Sequence, residues 1–202
     1  MAGPSWPAGP GLAAIGAASL LALVHLLATA ANGFALPDGL RALVGASPET
    51  TLSRPWALLA APFFHDDLFH LGYNLAVLGL VLPPALAAVG PTRGLLAAYL
   101  ASPLASAFVN LALILPLASL GWGWAQAAVE PHLVGASVAI FAAAGIALAT
   151  REWRASTMAL VAVVYLAYEA VLAVTGTTRP FVGVYHTTGC LAGMGAVGLD
   201  LV

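Results

Sequence analysis

Lysine is absent from this chain, charged residues of every kind make up only 7% of its 202 positions, and cysteine occurs once, at Cys190. Each scarcity excludes something. Soluble domains carry roughly a quarter charged residues, and a chain this poor in charge cannot cover a water-facing surface. All six basic residues are arginine and the net charge is −2, with no run of like charge, which argues against a nucleic-acid partner. One cysteine cannot close an internal disulfide, and Cys190 reads as a small packing residue with no metal or redox duty. The stretch Met1 to Pro10 contains no Lys or Arg, so it lacks the basic leader of a signal peptide, and the apolar run behind it reads as a retained first helix. What the chain does contain is 61% hydrophobic residues and a mean hydropathy of +0.98. Lipid must be its solvent, and its length allows one domain, residues 1–202, without a sizeable soluble appendage.

A helix needs about 20 mostly apolar residues to cross a bilayer. Six stretches meet or approach that length: Leu12–Ala31, Leu68–Val89, Leu95–Leu115, Gly135–Thr150, Thr157–Val174 and Val184 to the C-terminus. Pro83 and Pro84 are expected to bend the second span or end it early. The fourth is short, so its N-terminal N–H groups must sit below the surface and need a polar cavity or a partner. The connection 32–67, with Pro37, Pro48, Pro55 and Trp56, reads as an interfacial segment, and Trp122 and Trp124 lie in the connection between the third and fourth spans. The arginines tie across the two sides, three and three. Arg151 and Arg154 crowd a very short loop and tilt that side toward the cytoplasm.

Polar groups at membrane depth are costly and therefore functional candidates. They are His25, His70, Asn74, Ser137, Glu169 and His186. Four of them share a pattern. His70 and Asn74 open the second span, Ser137 the fourth and His186 the sixth. Alternate spans of a serial bundle run in the same direction, so these four residues share one depth. A serine hydroxyl becomes a nucleophile when a neutral histidine takes its proton, and the tetrahedral intermediate then needs donors aimed at its oxyanion. Ser137 lies at a helix N-terminus, and His70 and Asn74, at i and i+4, share one helix face.

The segments that carry these residues resemble the rhomboid intramembrane serine proteases. Arg54-Pro55-Trp56 and Phe63-Phe64-His65-Asp66-Asp67-Leu68-Phe69-His70-Leu71-Gly72-Tyr73-Asn74 look like that family's first loop and second helix. Val134-Gly135-Ala136-Ser137-Val138-Ala139-Ile140-Phe141 is similar to its nucleophile segment, and His186-Thr187-Thr188-Gly189-Cys190-Leu191-Ala192-Gly193 to its last helix. The resemblance spans about residues 54–200 in the right order. It implies an all-α, six-transmembrane-helix rhomboid-like bundle, with Ser137 as nucleophile and His186 as general base. His70 and Asn74 would form the oxyanion hole with the backbone N–H of Ser137. Phe141 would pack on the base histidine, and Gly189 and Gly193 would let the fourth and sixth spans approach closely. The family opens its site toward the non-cytoplasmic side, in agreement with the arginine tilt. Two positions depart from its pattern: Val138 stands where the family usually has glycine, and the second span ends without the family's acidic residue.

Residue by residue, plainer readings stand beside these. Ser137 can be a small residue at a helix contact, and His70 and Asn74 can be polar glue. His65, Asp66, Asp67 and His70 match no strong zinc spacing, and carboxylates at a helix start serve as caps, so no metal is expected. His132 lies in a loop with no specific task. His25 and Glu169 are lone polar groups on spans, with the role of Glu169 left open. The expected activity is intramembrane serine endopeptidase, cutting transmembrane or juxtamembrane segments of protein substrates by a Ser–His dyad, without a cofactor. It would act as a multi-pass protein of a prokaryotic cell membrane. The alternatives are an inactive rhomboid-like protein that binds membrane clients, motivated by Val138, and a small transporter, which would better explain Glu169.

Overall fold

The computed structural model describes residues 8–130, 132–150 and 182–202. The expected fifth span lies outside them, with Glu169, Arg151, Arg154 and Arg179. Every regular element among the described residues is a helix; they hold one isolated antiparallel bridge, Ala46 to Leu133, and no strand.

Helix α1 (Ala8–Thr29) continues into a 3-10 turn, Ala30–Asn32, and the chain reverses at Gly33 and Phe34, both at φ 63°. Two short helices follow in the connection to the next long helix, α2 (Asp38–Val44) and α3 (Trp56–Ala60). Helix α4 (Leu68–Val89) has the bounds expected for the second span. Asp67 caps it, accepting from the N–H of His70 at 2.8 Å, which satisfies one of the free donors of the first turn. Pro83 and Pro84 do not end the helix early; it runs to Val89 and stops at Gly90, whose φ of 89° suits glycine. Neighbouring helices that shield the freed carbonyls make such prolines tolerable at membrane depth.

Helix α5 (Pro91–Ser119) is longer than the expected third span. Its middle, Val109–Ile114, is a π turn, with the N–H of Leu115 bonded to the carbonyl of Asn110 five residues back. Pro116 follows directly and has no N–H to give, so the widened turn falls where the regular ladder must break anyway. A short helix, α6 (Gly123–Gln126), precedes α7 (Ser137–Ala149), and α8 (Val182–Gly198) ends the bundle.

Three of these helices are long and apolar enough to cross a membrane: Gly9–Asn32, Leu68–Val89 and Pro91–Ser119. Helix α7, with 13 residues, covers only about 20 Å of a hydrocarbon layer roughly 30 Å thick. That shortfall is the one expected for a helix whose N-terminus is sunk below the surface. Helix α7 is also central, packing on α4, α5 and α8, while α1 lies against α4. Ala143, Ala144 and Ala147 of α7 meet Val81, Leu82, Ala85 and Leu86 of α4 in the main core, and small residues there let the backbones come close.

Candidate active site

The chain entering α7 is held in place before the helix begins. Leu133 exchanges two backbone hydrogen bonds with Ala46, at 2.7 and 2.9 Å. The N–H of Gly135 donates to the carbonyl of Ala61 at 2.9 Å, and the N–H of Ala136 points at Nε2 of His65 at 3.4 Å. Gly135 has φ 117°, a conformation that glycine alone adopts without strain. This turn presents Ser137, half-buried, as the first residue of α7. Ile140 is the first residue to bond back four positions, to Ala136 at 3.0 Å. The N–H groups of Ser137, Val138 and Ala139 therefore precede the helical ladder and point outward from a positive helix end.

His70 and Asn74 come to this turn from α4. A β-carbon on Gly135 would stand 2.8 Å from both Cε1 and Nε2 of His70 and 3.3 Å from Nδ2 of Asn74. Only a residue without a side chain lets these two polar groups lie over the backbone two residues before Ser137. Asn74 is 1% exposed, and among the described residues neither its Oδ1 nor its Nδ2 has a hydrogen-bond partner. An unsatisfied buried amide costs about 1–3 kcal/mol, a cost recovered when a ligand atom accepts from it.

The ring of His70 is oriented from its other side. The N–H of Asp66 approaches its Nδ1 at 3.4 Å, and Asp66 Oδ2 lies 3.5 Å from the same atom. When Nδ1 accepts from the backbone, the neutral ring carries its proton on Nε2; when the ring is cationic, both nitrogens carry one. In those two states Nε2, which with Cε1 lies nearest Gly135, is a donor, whereas a neutral ring that gives its Nδ1 proton to the Asp66 carboxylate keeps Nε2 as an acceptor. Asp66 in turn pairs with Arg41. Burial pushes the Asp66 carboxyl up, but the hydrogen bond and charge of His70, with the charge of Arg41, outweigh it and hold the group below the usual carboxylate range.

His186 arrives from α8. It is 4% exposed, and its ring stacks on Phe141 with centroids 4.5 Å apart and 9° between the planes. Phe141 lies one turn beyond Ser137, so the two share a face of α7, and the stack turns the imidazole onto that face. The close helix approach has a visible cause. A β-carbon on Gly189 would stand 2.6 Å from the carbonyl oxygen of Val138, and one on Gly193 2.0 Å from that of Ala142. Gly145 answers from α7, where a β-carbon would stand 2.1 Å from the carbonyl oxygen of Cys190. The Val138–Gly189 and Ala142–Gly193 contacts advance in the same direction along both helices, so α7 and α8 run parallel there. Val138 packs with Val109, Ile114 and Tyr185, and a β-carbon on Gly189 would stand 3.0 Å from its Cγ1; the absent side chain at Gly189 makes room for the branched one.

Several contributors are not evident from residue type and spacing. His65, fully buried, accepts from the chain leading to Ser137, and its ring lies edge-on to both His70 (5.1 Å) and His25 (5.8 Å). His25 is not an idle polar group on its span, since its Nε2 meets the carbonyl of Phe34 at 3.2 Å and holds the turn after α1. His132 likewise has a task that its loop position hides: its Nε2 lies 3.1 Å from Nη2 of Arg54. Burial first, and the Arg54 charge next, hold the His132 imidazole below its ordinary pKa. His65, Asp66 and Asp67 thus serve as tether, ion pair and cap, and His70 lies against Asp66 and Gly135.

Comparison with known proteins adds one finding. The family model described as "Rhomboid domain" matches residues 52–201, which include His65, His70, Asn74, Ser137, Phe141 and His186 and leave out His25, Phe34, Arg41 and Ala46. No curated protein and no solved structure matches the chain at a significant level.

Proposed function

The chain belongs to the rhomboid family, and from that premise we propose that it is an intramembrane serine endopeptidase with Ser137 as nucleophile and His186 as general base. The observation that carries this reading is the stack of His186 on Phe141, one turn past Ser137, which supports an imidazole on the serine's own face of α7. Ser137 Oγ attacks the carbonyl carbon of a substrate peptide bond while His186 takes its proton. The negative oxygen is met by Nε2–H of His70, the Asn74 amide and the N–H of Ser137. Collapse expels the amine, which receives the proton from His186, and water then hydrolyses the acyl-enzyme by the same steps in reverse roles. Substrates are transmembrane protein segments, and water enters from the face where α4, α7 and α8 begin. The six-span bundle, a single domain over 1–202 and residence in a prokaryotic cell membrane belong to the same proposal. Packing of Ala14 and Leu21 of α1 into the main core supports one domain that extends before the matched region.

A fluorophosphonate probe tests the reading. The wild type should be labelled and should cleave a model transmembrane substrate, and Ser137→Ala should abolish both. If the wild type does neither, the protease reading fails and the client-binding alternative replaces it.

A further inference from the structure

A second polar cluster lies beside the candidate site and takes no part in the chemistry proposed above. Tyr185, the residue before His186, donates from Oη to Oδ1 of Asn110. Asn110 donates from Nδ2 to Oγ1 of Thr51 at 2.6 Å, and Thr51 donates to the carbonyl of Ser47 at 2.7 Å. The chain of donors has one direction. Thr51 has a single hydroxyl proton, committed to Ser47, so it can only accept from Asn110, which leaves the amide oxygen for the tyrosine. Tyr185, Asn110 and Thr51 are 2%, 1% and 5% exposed, so water cannot replace these bonds cheaply.

The three residues belong to three different parts of the molecule. Thr51 is in the turn before α3, Asn110 is the second residue of the π turn of α5, and Tyr185 is in the first turn of α8. A π turn inserts a residue and rotates the remainder of the helix by about 100°, and such turns are frequent at functional sites. Here it falls on the one asparagine of α5 that reaches both partners. The tyrosine ring packs with Val109, Ile114 and Val138, so it is clamped between α5 and the first turn of α7.

We propose that Asn110 and Tyr185 are positioning residues for His186: the buried Thr51–Asn110–Tyr185 chain sets the rotation of α8 about its own axis, and with it the placement of the imidazole relative to Ser137. Side chains on a helix reach roughly 6 Å from its axis, so a rotation of about 10° moves a ring by about 1 Å. Misplacement of that size in a catalytic group costs on the order of 100-fold in rate. The stack on Phe141 holds the ring plane, and the tyrosine hydroxyl holds the helix that carries the ring. The catalytic consequence rests on the protease reading; the geometric one does not.

The test uses the full chain in detergent or bilayers, with His-selective isotope labelling. In the wild type the Phe141 ring should shift the His186 ring protons upfield. Tyr185→Phe should reduce that shift and lower kcat by tenfold or more with KM unchanged. It should also destabilise the fold, because Oδ1 of Asn110 is left bare. The double variant Tyr185→Phe/Asn110→Leu removes both polar partners and should restore thermal stability, while kcat and the His186 shift stay altered. Thr51→Val should lower kcat in the same direction and Thr51→Ser should retain it, which serves if the double variant does not fold. Recovery of kcat together with stability, or a His186 shift unmoved by Tyr185→Phe, overturns the proposal. A wild type that never labels with fluorophosphonate, yet loses the His186 shift in Tyr185→Phe, overturns the protease reading alone.

Discussion

The imidazole of His186 lies flat on the phenyl ring of Phe141, 4.5 Å between centroids and 9° from parallel. An aromatic stack of this kind is worth about 1 kcal/mol beyond the area it buries, or roughly fivefold in a population. It therefore selects an orientation of the ring without holding it rigidly. Phe141→Leu keeps most of the apolar volume and removes the stack. We expect kcat for a transmembrane substrate to fall about 5- to 10-fold with KM little changed, and steady-state kinetics with the purified variant checks this.

Gly193 and Gly195 are two residues apart on α8 and should behave oppositely. A β-carbon at Gly193 would stand 2.0 Å from the backbone oxygen of Ala142, whereas one at Gly195 meets nothing within 4 Å. Gly193→Ala must push α7 and α8 apart, at a cost of about 2 kcal/mol or more, and should abolish cleavage. Gly195→Ala should leave the thermal midpoint unchanged or raise it, since alanine is the better helix former by about 0.5–1 kcal/mol. Equal midpoints for the two variants in thermal unfolding in micelles would contradict the packing described for this interface.

Asn74→Ala distinguishes an oxyanion donor from polar glue by the sign of its effect on stability. The resting amide has no hydrogen-bond partner among the described residues, so removing it should not lower the thermal midpoint. Loss of a donor that acts only in the transition state should reduce kcat roughly 10- to 1000-fold. A destabilised variant with normal turnover per folded molecule would assign Asn74 to packing instead.

Gly135→Ala should be inactive for two reasons that act together. The backbone there is at φ 117°, and the new methyl group would press on His70 and Asn74. Because the strain falls on the chain entering α7, fluorophosphonate labelling of Ser137 should be lost along with cleavage. Persistent labelling at the wild-type rate would separate this turn from the site.

His65 predicts an acid-sensitive fold. Burial, with the neighbouring His70 and His25, lowers its pKa from 6.5 to about 3, so the folded protein keeps it neutral while the unfolded chain protonates it below pH 6.5. The stability from that difference is present above pH 6.5 and is lost progressively as pH falls toward 3. By pH 5 the loss amounts to about 2 kcal/mol. His65→Gln keeps an acceptor for the Ala136 N–H and does not titrate. Its thermal midpoint should fall less than that of the wild type between pH 7 and pH 5, and parallel declines would remove His65 as the cause.

How much of this was legible in the sequence can be judged at individual residues. The bounds of α4 and the start of α7 are readable because apolar length, the Asp67 cap and the glycine before Ser137 act locally. The placement of His70 and Asn74 on α4, of Ser137 at the start of α7 and of His186 on α8 is readable too, from apolar length alone. Partners are different. Nothing within a few residues of His65 indicates that it accepts from Ala136, which is 71 positions away. His132 meets Arg54 across 78 positions. Asn110 was detectable in principle as an amide inside an apolar helix, but its link to Thr51 and Tyr185 depends on a π turn that no local pattern announces.

Hydropathy and residue order alone determined that the chain lives in lipid and the bounds of α4, because these follow from water exclusion; α1 and α5 each begin four residues before the expected start. Tertiary structure alone decided which groups touch. The glycines of α7 and α8 set the distance between those helices, Gly135 lets His70 and Asn74 lie over the turn before Ser137, and Phe141 receives His186. These are short-range contacts between residues distant in sequence, and only the packed backbone brings them within reach.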